Sequence, residues 1–375
     1  TSTNSSIGLI YALKKIFIGL LMKKKLKKDF NEIKKKLHQL SKIIQKEKNT
    51  EELIIAKVIA LTYLTVSVEP IFQGSLKNTK KDLLEKINES ILVFNTLKIF
   101  NKFSKKNSEK NFLKNEKFLN LHTNLWQQIW PEHSYKEYER LVEYRGKRLD
   151  YNRIKKEFQN KEVIEFGCGN GSISTALMKR GAKNCLGIDF GKKNIQAATK
   201  FSKKYKFGNK MKFICADILN YKNKKKYDFI VCSAVLHHLK NKELMKKMIT
   251  KFSNISKNGS YLYFFVRGFG GIRYEIQDIC VKCFKKIKTE VLFKHLTYLG
   301  FNREKITHLL DWFKAIYLQT KPEYLEKIFR QNGYTKFRRL SGPHKNDLDI
   351  NQIKKHENSY IAFGSGELRY LCKFN

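Results

Sequence analysis

Through the first 130 residues, apolar side chains recur at spacings of three and four in Ile7–Glu47, Glu51–Val66, Thr79–Phe103 and Ser108–Ile129. That period predicts an all-helical N-terminal domain over 1–130. Pro70 and Pro131 stand where continuous helix is expected to fail. From Lys161 the pattern changes. Short apolar runs at Val163–Phe166, Cys185–Ile188, Met211–Cys215, Phe229–Cys232 and Tyr261–Val266 alternate with amphipathic stretches at Ser172–Arg180, Lys192–Tyr205 and Lys242–Ile255. Such alternation predicts a parallel sheet covered by helices on both faces. Pro322–Asn332 reads as a helix opened by its proline. Two strands follow, Thr335–Leu340 and Leu368–Phe374, the second placing Leu368, Tyr370, Cys372 and Phe374 on one side. Glycine usage marks the same change, with 4 of 20 glycines before residue 161.

The chain has 375 residues, of which 42% are hydrophobic and only 4 are proline, which excludes wholesale disorder and fits two domains. A formal charge of +42 raises the question of a polyanionic partner. Its distribution argues against one. Residues 1–120 carry +14 and residues 121–375 carry +28, nearly the same density, and 64 of the 76 basic residues are Lys. Bidentate recognition of phosphates and bases favours Arg, so the charge reads as a solvated Lys-rich surface and a nucleic-acid partner is disfavoured.

Near the start, the apolar runs Ile7–Leu13 and Ile16–Met22 are split by Lys14 and Lys15 and followed by Lys23, Lys24, Lys25, Lys27 and Lys28. No uninterrupted apolar span of transmembrane length results, and the order of basic and apolar regions is not that of a secretory signal. Packing into a helical bundle is expected, with a basic amphipathic helix at an anionic membrane surface as the alternative. With 7 cysteines that form no disulfide framework, the expected compartment is the cytoplasm. Cys280 and Cys283 make a single C-x-x-C, short of the four ligands of a structural zinc site, so no metal is expected.

The stretch Val163–Ser172, VIEFGCGNGS, is an apolar strand, an acid at Glu165, then Gly167, Gly169 and Gly171 opening a helix. Glycines there let the chain turn sharply and let backbone approach a ligand. Asp189 ends the next strand, 22 residues after Gly167, where a carboxylate can accept from both hydroxyls of a ribose. The spacing is G-x-G-x-G rather than G-x-G-x-x-G, which argues against a pyrophosphate and a nicotinamide.

With these residues in view, the chain resembles the class I S-adenosylmethionine-dependent methyltransferases. EFGCGNG is similar to their first motif, GIDF at Gly187–Phe190 to their acidic second strand, and CADIL at Cys215–Leu219 to their third. YDFIVCSAVLHHL at Tyr227–Leu239 resembles the fourth-strand motif and NGSYLYFF at Asn258–Phe265 the turn into the fifth. The five elements occur in order and span about 138–375. The resemblance implies a Rossmann-like, doubly wound α/β sheet of seven strands with the last antiparallel, in a methyltransferase domain over 131–375. It implies S-adenosylmethionine as cofactor, with Gly167, Cys168, Gly169 and Gly171 along its methionine and ribose and Glu165 supporting the loop or the amino group. Asp189, with Phe190 beside it, would hold the ribose hydroxyls. Asp217 and Ile218 would take the adenine, and Cys232, Ser233 and Val235 would border the reactive methyl. His237 and His238 are the candidates for a general base, with orientation of the loop as the alternative.

The segment Trp126–Asn152 is dense in aromatics and holds three of the 12 arginines. Relatives cover the cofactor with an N-terminal helix, so Tyr144, Arg145 and Arg148 become candidates for its carboxylate, with surface packing as the alternative. After the fifth strand, a helical insertion at about 268–320 is expected to build the acceptor pocket, with Gly268, Gly270 and Gly271 as its hinge. The expected activity is methyl transfer to a small-molecule acceptor. A membrane-associated lipid, an RNA and a catalytically silent cofactor-binding module remain as alternatives, and the oligomeric state is open.

Overall fold

The computed structural model describes Lys25 and residues 27–73, 79–103, 125–127, 129–344, 347 and 359–375. The two apolar runs before Lys23, and most of the helix expected over Ser108–Ile129, lie outside the described residues. By internal contacts the chain divides into two compact units. One comprises 1–110, 271–283 and 356–364; the other comprises 111–270, 284–355 and 365–375. Residues 125–127, 129 and 130, grouped by composition with the helical part, thus fall with the second unit.

The helical unit contains helices α1 (27–46), α2 (Glu51–Gln73) and α3 (Thr79–Phe103). Helical spacing puts Ile33, Leu37, Leu40 and Ile44 on one buried face of α1, and Leu83, Ile87 and Phe94 on one of α3. Lys57 of α2 is 2% exposed, and its ammonium donates to Glu47 O, Lys48 O and Asn49 Oδ1 at 2.9, 3.2 and 2.8 Å. One buried cation thereby satisfies acceptors just beyond the end of α1, and burial lowers its pKa below the ordinary lysine value. By length and composition α2 is apolar enough to cross a membrane, with 56% of its most apolar window buried inside the protein. It also runs through Pro70, where a break was expected. The proline falls in the last turn, so few helical bonds depend on it, and Val68 and Phe72 on either side are buried.

The catalytic unit is built on seven strands: β1 (Glu162–Phe166), β2 (Asn184–Asp189), β3 (Met211–Cys215), β4 (Tyr227–Ser233), β5 (Ser256–Arg267), β6 (Tyr334–Arg339) and β7 (Glu367–Phe374). Their order is β3-β2-β1-β4-β5-β7-β6, and β7 alone runs antiparallel to its neighbours. The strands and the antiparallel last strand agree with the expected fold. The helices that matter for the site are α4 (Tyr135–Tyr151), α5 (Ser172–Lys179), α6 (Lys192–Ser202) and α7 (Lys242–Asn254), then α8 (Ile272–Phe284), α9 (Thr289–Tyr298), α10 (Arg303–Lys314) and α11 (Pro322–Gln331).

Alternation along the strands divides the core into two layers. Ile164, Phe166, Ile230, Cys232, Leu262, Phe264 and Tyr370 pack with Met245, Met248 and Phe252 of α7 and Phe329 of α11. Val163, Phe229, Val231, Tyr263 and Leu371 face the other way, with Tyr138 and Val142 of α4, Leu177 of α5 and Phe201 of α6. The first chain reversal lies between β1 and β4, the switch point at which open α/β sheets bind ligands beyond the strand ends. The expected insertion is divided: all of α8 but its last residue belongs to the helical unit, whereas α9 and α10 belong to the catalytic unit. That division falls between Gly270 and Gly271, both at positive φ.

Candidate cofactor and acceptor site

The loop after β1 turns on Gly167, Gly169 and Gly171, at φ of +70, +53 and +75°. A Cβ at Gly167 would lie 2.2 Å from Val235 Cγ2, and one at Gly171 would lie 2.6 Å from Phe213 Cζ. Side chains are therefore excluded by both dihedral and space. The loop's amides are already occupied. Gly167 N and Cys168 N donate to Ile188 O at 2.7 and 3.0 Å, Gly171 N to Cys168 O at 2.8 Å, and Gly169 N to Asp189 Oδ2 at 2.9 Å. A phosphate-binding loop presents such amides to its ligand. This one spends three of the four on the β2 end, which fits a nucleoside without a pyrophosphate.

Glu165, 1% exposed, points under α5 and accepts from Ser174 N at 2.9 Å and from the Ser174 hydroxyl. It thus fixes the first turn of α5 from within the core, the loop-supporting role of the two considered. Burial pushes its pKa up to about 8, opposed by the Ser174 bonds and by Arg145. Asp189, at the end of β2, also accepts at Oδ1 from Gly191 N at 2.8 Å and from Asn194 Nδ2 at 3.0 Å. Phe190 beside it is 42% exposed. Beyond β3, Asp217 caps a turn by accepting from Leu219 N at 2.9 Å and Asn220 Nδ2 at 2.6 Å, while Ile218 is buried. Lys251 of α7 holds the same turn through Ile218 O and Leu219 O.

At the end of β4, Cys232 is fully buried in the α7 layer and Ser233 half-buried. Ala234 follows at φ +61°, so the chain turns sharply and lays Val235 on Gly167. The two histidines then part in role. His237, 2% exposed, accepts at Nδ1 from Arg267 N at 2.7 Å, so its neutral proton sits on Nε2 and the ring pins the β4 loop to the end of β5. His238 is half-buried, and its Nδ1 lies 3.2 Å from Ile316 O. A carbonyl can only accept, so Nδ1 carries the proton and Nε2 is the basic nitrogen. Its ring lies 6.0 Å from Trp126 and 4.6 Å from Tyr317. The part of the insertion that reaches the histidines is thus the segment after α10, where Leu318 N also bonds His237 O at 2.7 Å.

The segment before β1 covers the glycine loop with residues other than those proposed from sequence. Trp130 Nε1 would stand 3.3 Å from a Cβ on Gly169, Trp130 stacks on Trp126 at 5.5 Å, and Gln127 Oε1 accepts from Lys193 N at 3.2 Å. His133 lies 3.4 Å from the Asn170 amide, and burial lowers its pKa. Tyr138 bonds Gly171 O and Thr175 Oγ1 at 3.3 and 2.7 Å. Tyr144 and Arg148 are drawn elsewhere: Arg148 pairs with Asp347 and bonds Tyr144 at 2.7 Å, and Tyr144 stacks on His344 at 3.7 Å. Trp130 and Gln127 could have been singled out only by knowing which way the chain enters α4, since tryptophan content alone does not distinguish cover from core.

A central glycine turn, a carboxylate on the second strand and a capped turn on the third, at the switch point of a sheet with an antiparallel last strand, are the arrangement of a class I S-adenosylmethionine-dependent methyltransferase domain. Residues 157–295 match the family model for a methyltransferase domain. Among curated proteins the chain is similar to a ubiquinone biosynthesis O-methyltransferase of Pelagibacter ubique, 27% identical over 58% of this chain and 76% of that protein. It is also similar to the protein of the same name from Rickettsia canadensis, 32% identical over 29% of this chain and 42% of that one. Among solved structures, magnesium protoporphyrin IX methyltransferase from Synechocystis aligns over 69% of this chain and 96% of its own, with 19% identity and a TM-score of 0.39.

Two outcomes follow from this geometry. Glu165 has its pKa raised by folding, from 4.5 to about 8, so it favours the folded state while protonated and costs stability as pH climbs through that window. Glu165→Gln is therefore expected to gain on the wild type in melting temperature between pH 5 and pH 8; parallel curves would contradict a buried neutral acid. His237→Ala strands the amide of Arg267 and is expected to lower unfolding free energy by about 1–3 kcal/mol in urea titrations. His238→Ala is expected to lower it by less, and the reverse order would contradict the assignment.

Proposed function

We propose that the catalytic unit transfers the methyl group to a hydroxyl oxygen of a small aromatic acceptor. The observation that carries this reading is His238, whose Nδ1 donates to Ile316 O and whose basic Nε2 sits in a niche flanked by Trp126 and Tyr317. The relatives named ubiquinone biosynthesis O-methyltransferases support the same choice. When bound, S-adenosylmethionine supplies an electrophilic methyl on a sulfonium, and displacement there demands alignment more than strong activation. In this reading Asp189 accepts from the ribose hydroxyls and Asp217 from the adenine amino group, with Gly167, Gly169 and Gly171 giving the backbone approach. Trp126 and Trp130 close over the loop and exclude water. The acceptor's hydroxyl gives its proton to His238 Nε2 as the oxygen takes the methyl, so the oxygen need not carry a full charge.

The uniform spread of Lys over the chain gives RNA no particular surface, and lipid acceptors rest on N-terminal residues that lie outside the described structure. The test is transfer of isotopically labelled methyl groups by the full chain to catechol, to the matching aniline, to RNA and to lipid vesicles. Label is expected on the catechol oxygen, with the rate of His238→Ala lower by about 100-fold and partly recovered at high pH. Label on the aniline, RNA or lipid, or an unimpaired His238→Ala, would contradict it.

A further inference from the structure

On the α4 face of the sheet, above the levels of Tyr263 and Leu371, lies a group of arginines that the methyl-transfer chemistry leaves unused. Arg148, 7% exposed, sends Nε to Asp347 Oδ2 at 3.2 Å and Nη2 to Asp347 Oδ1. Arg369 on β7 is 1% exposed, and its Nη2 lies 3.5 Å from Asp347 Oδ1 and 3.1 Å from Glu367 Oε2. Arg145 of α4 lies 5.8 Å from the Tyr144 ring, and burial together with the neighbouring Arg148 lowers its pKa only to about 10, so it stays charged at neutral pH. Among the described residues, the guanidinium groups of Arg148 and Arg369 thus share the carboxylates of Asp347 and Glu367, and Arg145 lies near enough to feel the charges of both arginines.

The donors tell the same story as the charges. Arg145 Nε and Arg369 Nη1 are buried atoms with no hydrogen-bond partner among the described residues. A buried cation left without a counter-charge is costly, and an unsatisfied guanidinium donor adds to the cost. Both are relieved by an oxyanion, whose planar or tetrahedral oxygens match the guanidinium fork. The position is informative as well. Arg369 lies over Phe265 with its Cζ 4.9 Å from the ring centroid, and Phe265 meets the His237 ring at 5.8 Å. The positive group therefore begins one aromatic ring away from the histidine pair, and half-buried Arg145 connects it to solvent.

We propose that Arg145 and Arg369 receive an oxyanion, a carboxylate or a phosphate ester, carried by the acceptor of methyl transfer. The proposal rests on the methyltransferase reading and narrows its substrate class to anionic acceptors. Arg148, held by Asp347 and Tyr144, is a positioning residue that keeps Asp347 between the arginines.

The test uses the full chain saturated with S-adenosylhomocysteine, so that the cofactor's own carboxylate is already in place. Fluorine NMR titrations compare para-fluorobenzoate, para-fluorophenyl phosphate and para-fluorobenzamide. One or both anions are expected to bind about tenfold or more tightly than the amide, the tighter of the two identifying carboxylate or phosphate as the group recognised. Arg369→Gln and Arg145→Gln are each expected to lose that preference while keeping the melting temperature needed to titrate them. Arg369 is enclosed and ion-paired, so Arg145→Gln, which breaks no ion pair among the described residues, decides the matter if Arg369→Gln does not fold. Non-specific attraction to the Lys-rich surface survives in both variants and cannot imitate this result. Equal binding of anions and amide overturns the proposal, as does a preference that Arg145→Gln retains. Failure to bind S-adenosylhomocysteine at all would instead overturn the methyltransferase reading.

Discussion

One carboxylate organises the cofactor end of the sheet. Asp189 takes Gly169 N on one oxygen, and Gly191 N and Asn194 Nδ2 on the other, so the loops after β1 and β2 are tied by a single side chain. With Gly167 N and Cys168 N both on Ile188 O, the glycine turn has few donors left for a phosphate. The same strand neighbours and the same turn are what a dinucleotide fold uses, and the difference in chemistry lies in where the amides point. Glu165 completes the arrangement from below by holding Ser174, so loop and helix are fixed before any ligand arrives.

Around that centre the sheet sorts its residues by parity. Even positions of β1 and β4 pack under α7, and odd positions face α4, α5 and α6. This puts Cys232 in the core and leaves Glu165, Phe265 and Arg369 on the face where α4 passes. His237 then joins the two halves by bonding Arg267 N at the end of β5, and so sets the position of His238 against Trp126 and Tyr317. The niche around His238 is thus a consequence of strand ends meeting, with residues that follow β4, end β5 and follow α10.

The strands were legible because their apolar runs are short, alternating and bounded by glycine, and β7 in particular shows its buried side as Leu368, Tyr370 and Cys372. Local signals also gave Gly167, Gly169, Gly171 and Asp189, since a turn needing positive φ and an acid at a strand end are written in adjacent residues. What could not be read was anything that depends on distant contacts. Asp347 pairs with Arg148 across 199 positions of sequence and His344 meets Tyr144 across 200, and no spacing announces such pairs. Likewise, Pro70 was expected to end α2, but tertiary burial of Val68 and Phe72 outweighs one proline in a last turn. The overall charge of +42 proved less informative than the placement of three arginines among twelve.

The most direct measurement is calorimetric titration of S-adenosylhomocysteine into the full chain and into Asp189→Ala, with the oxidised dinucleotide NAD as a second ligand. The expected result is binding of S-adenosylhomocysteine by the wild type, weakened about tenfold or more in the variant, and no heat from the dinucleotide. Equal affinity in the two proteins, or binding of the dinucleotide, would contradict a nucleoside site organised by Asp189.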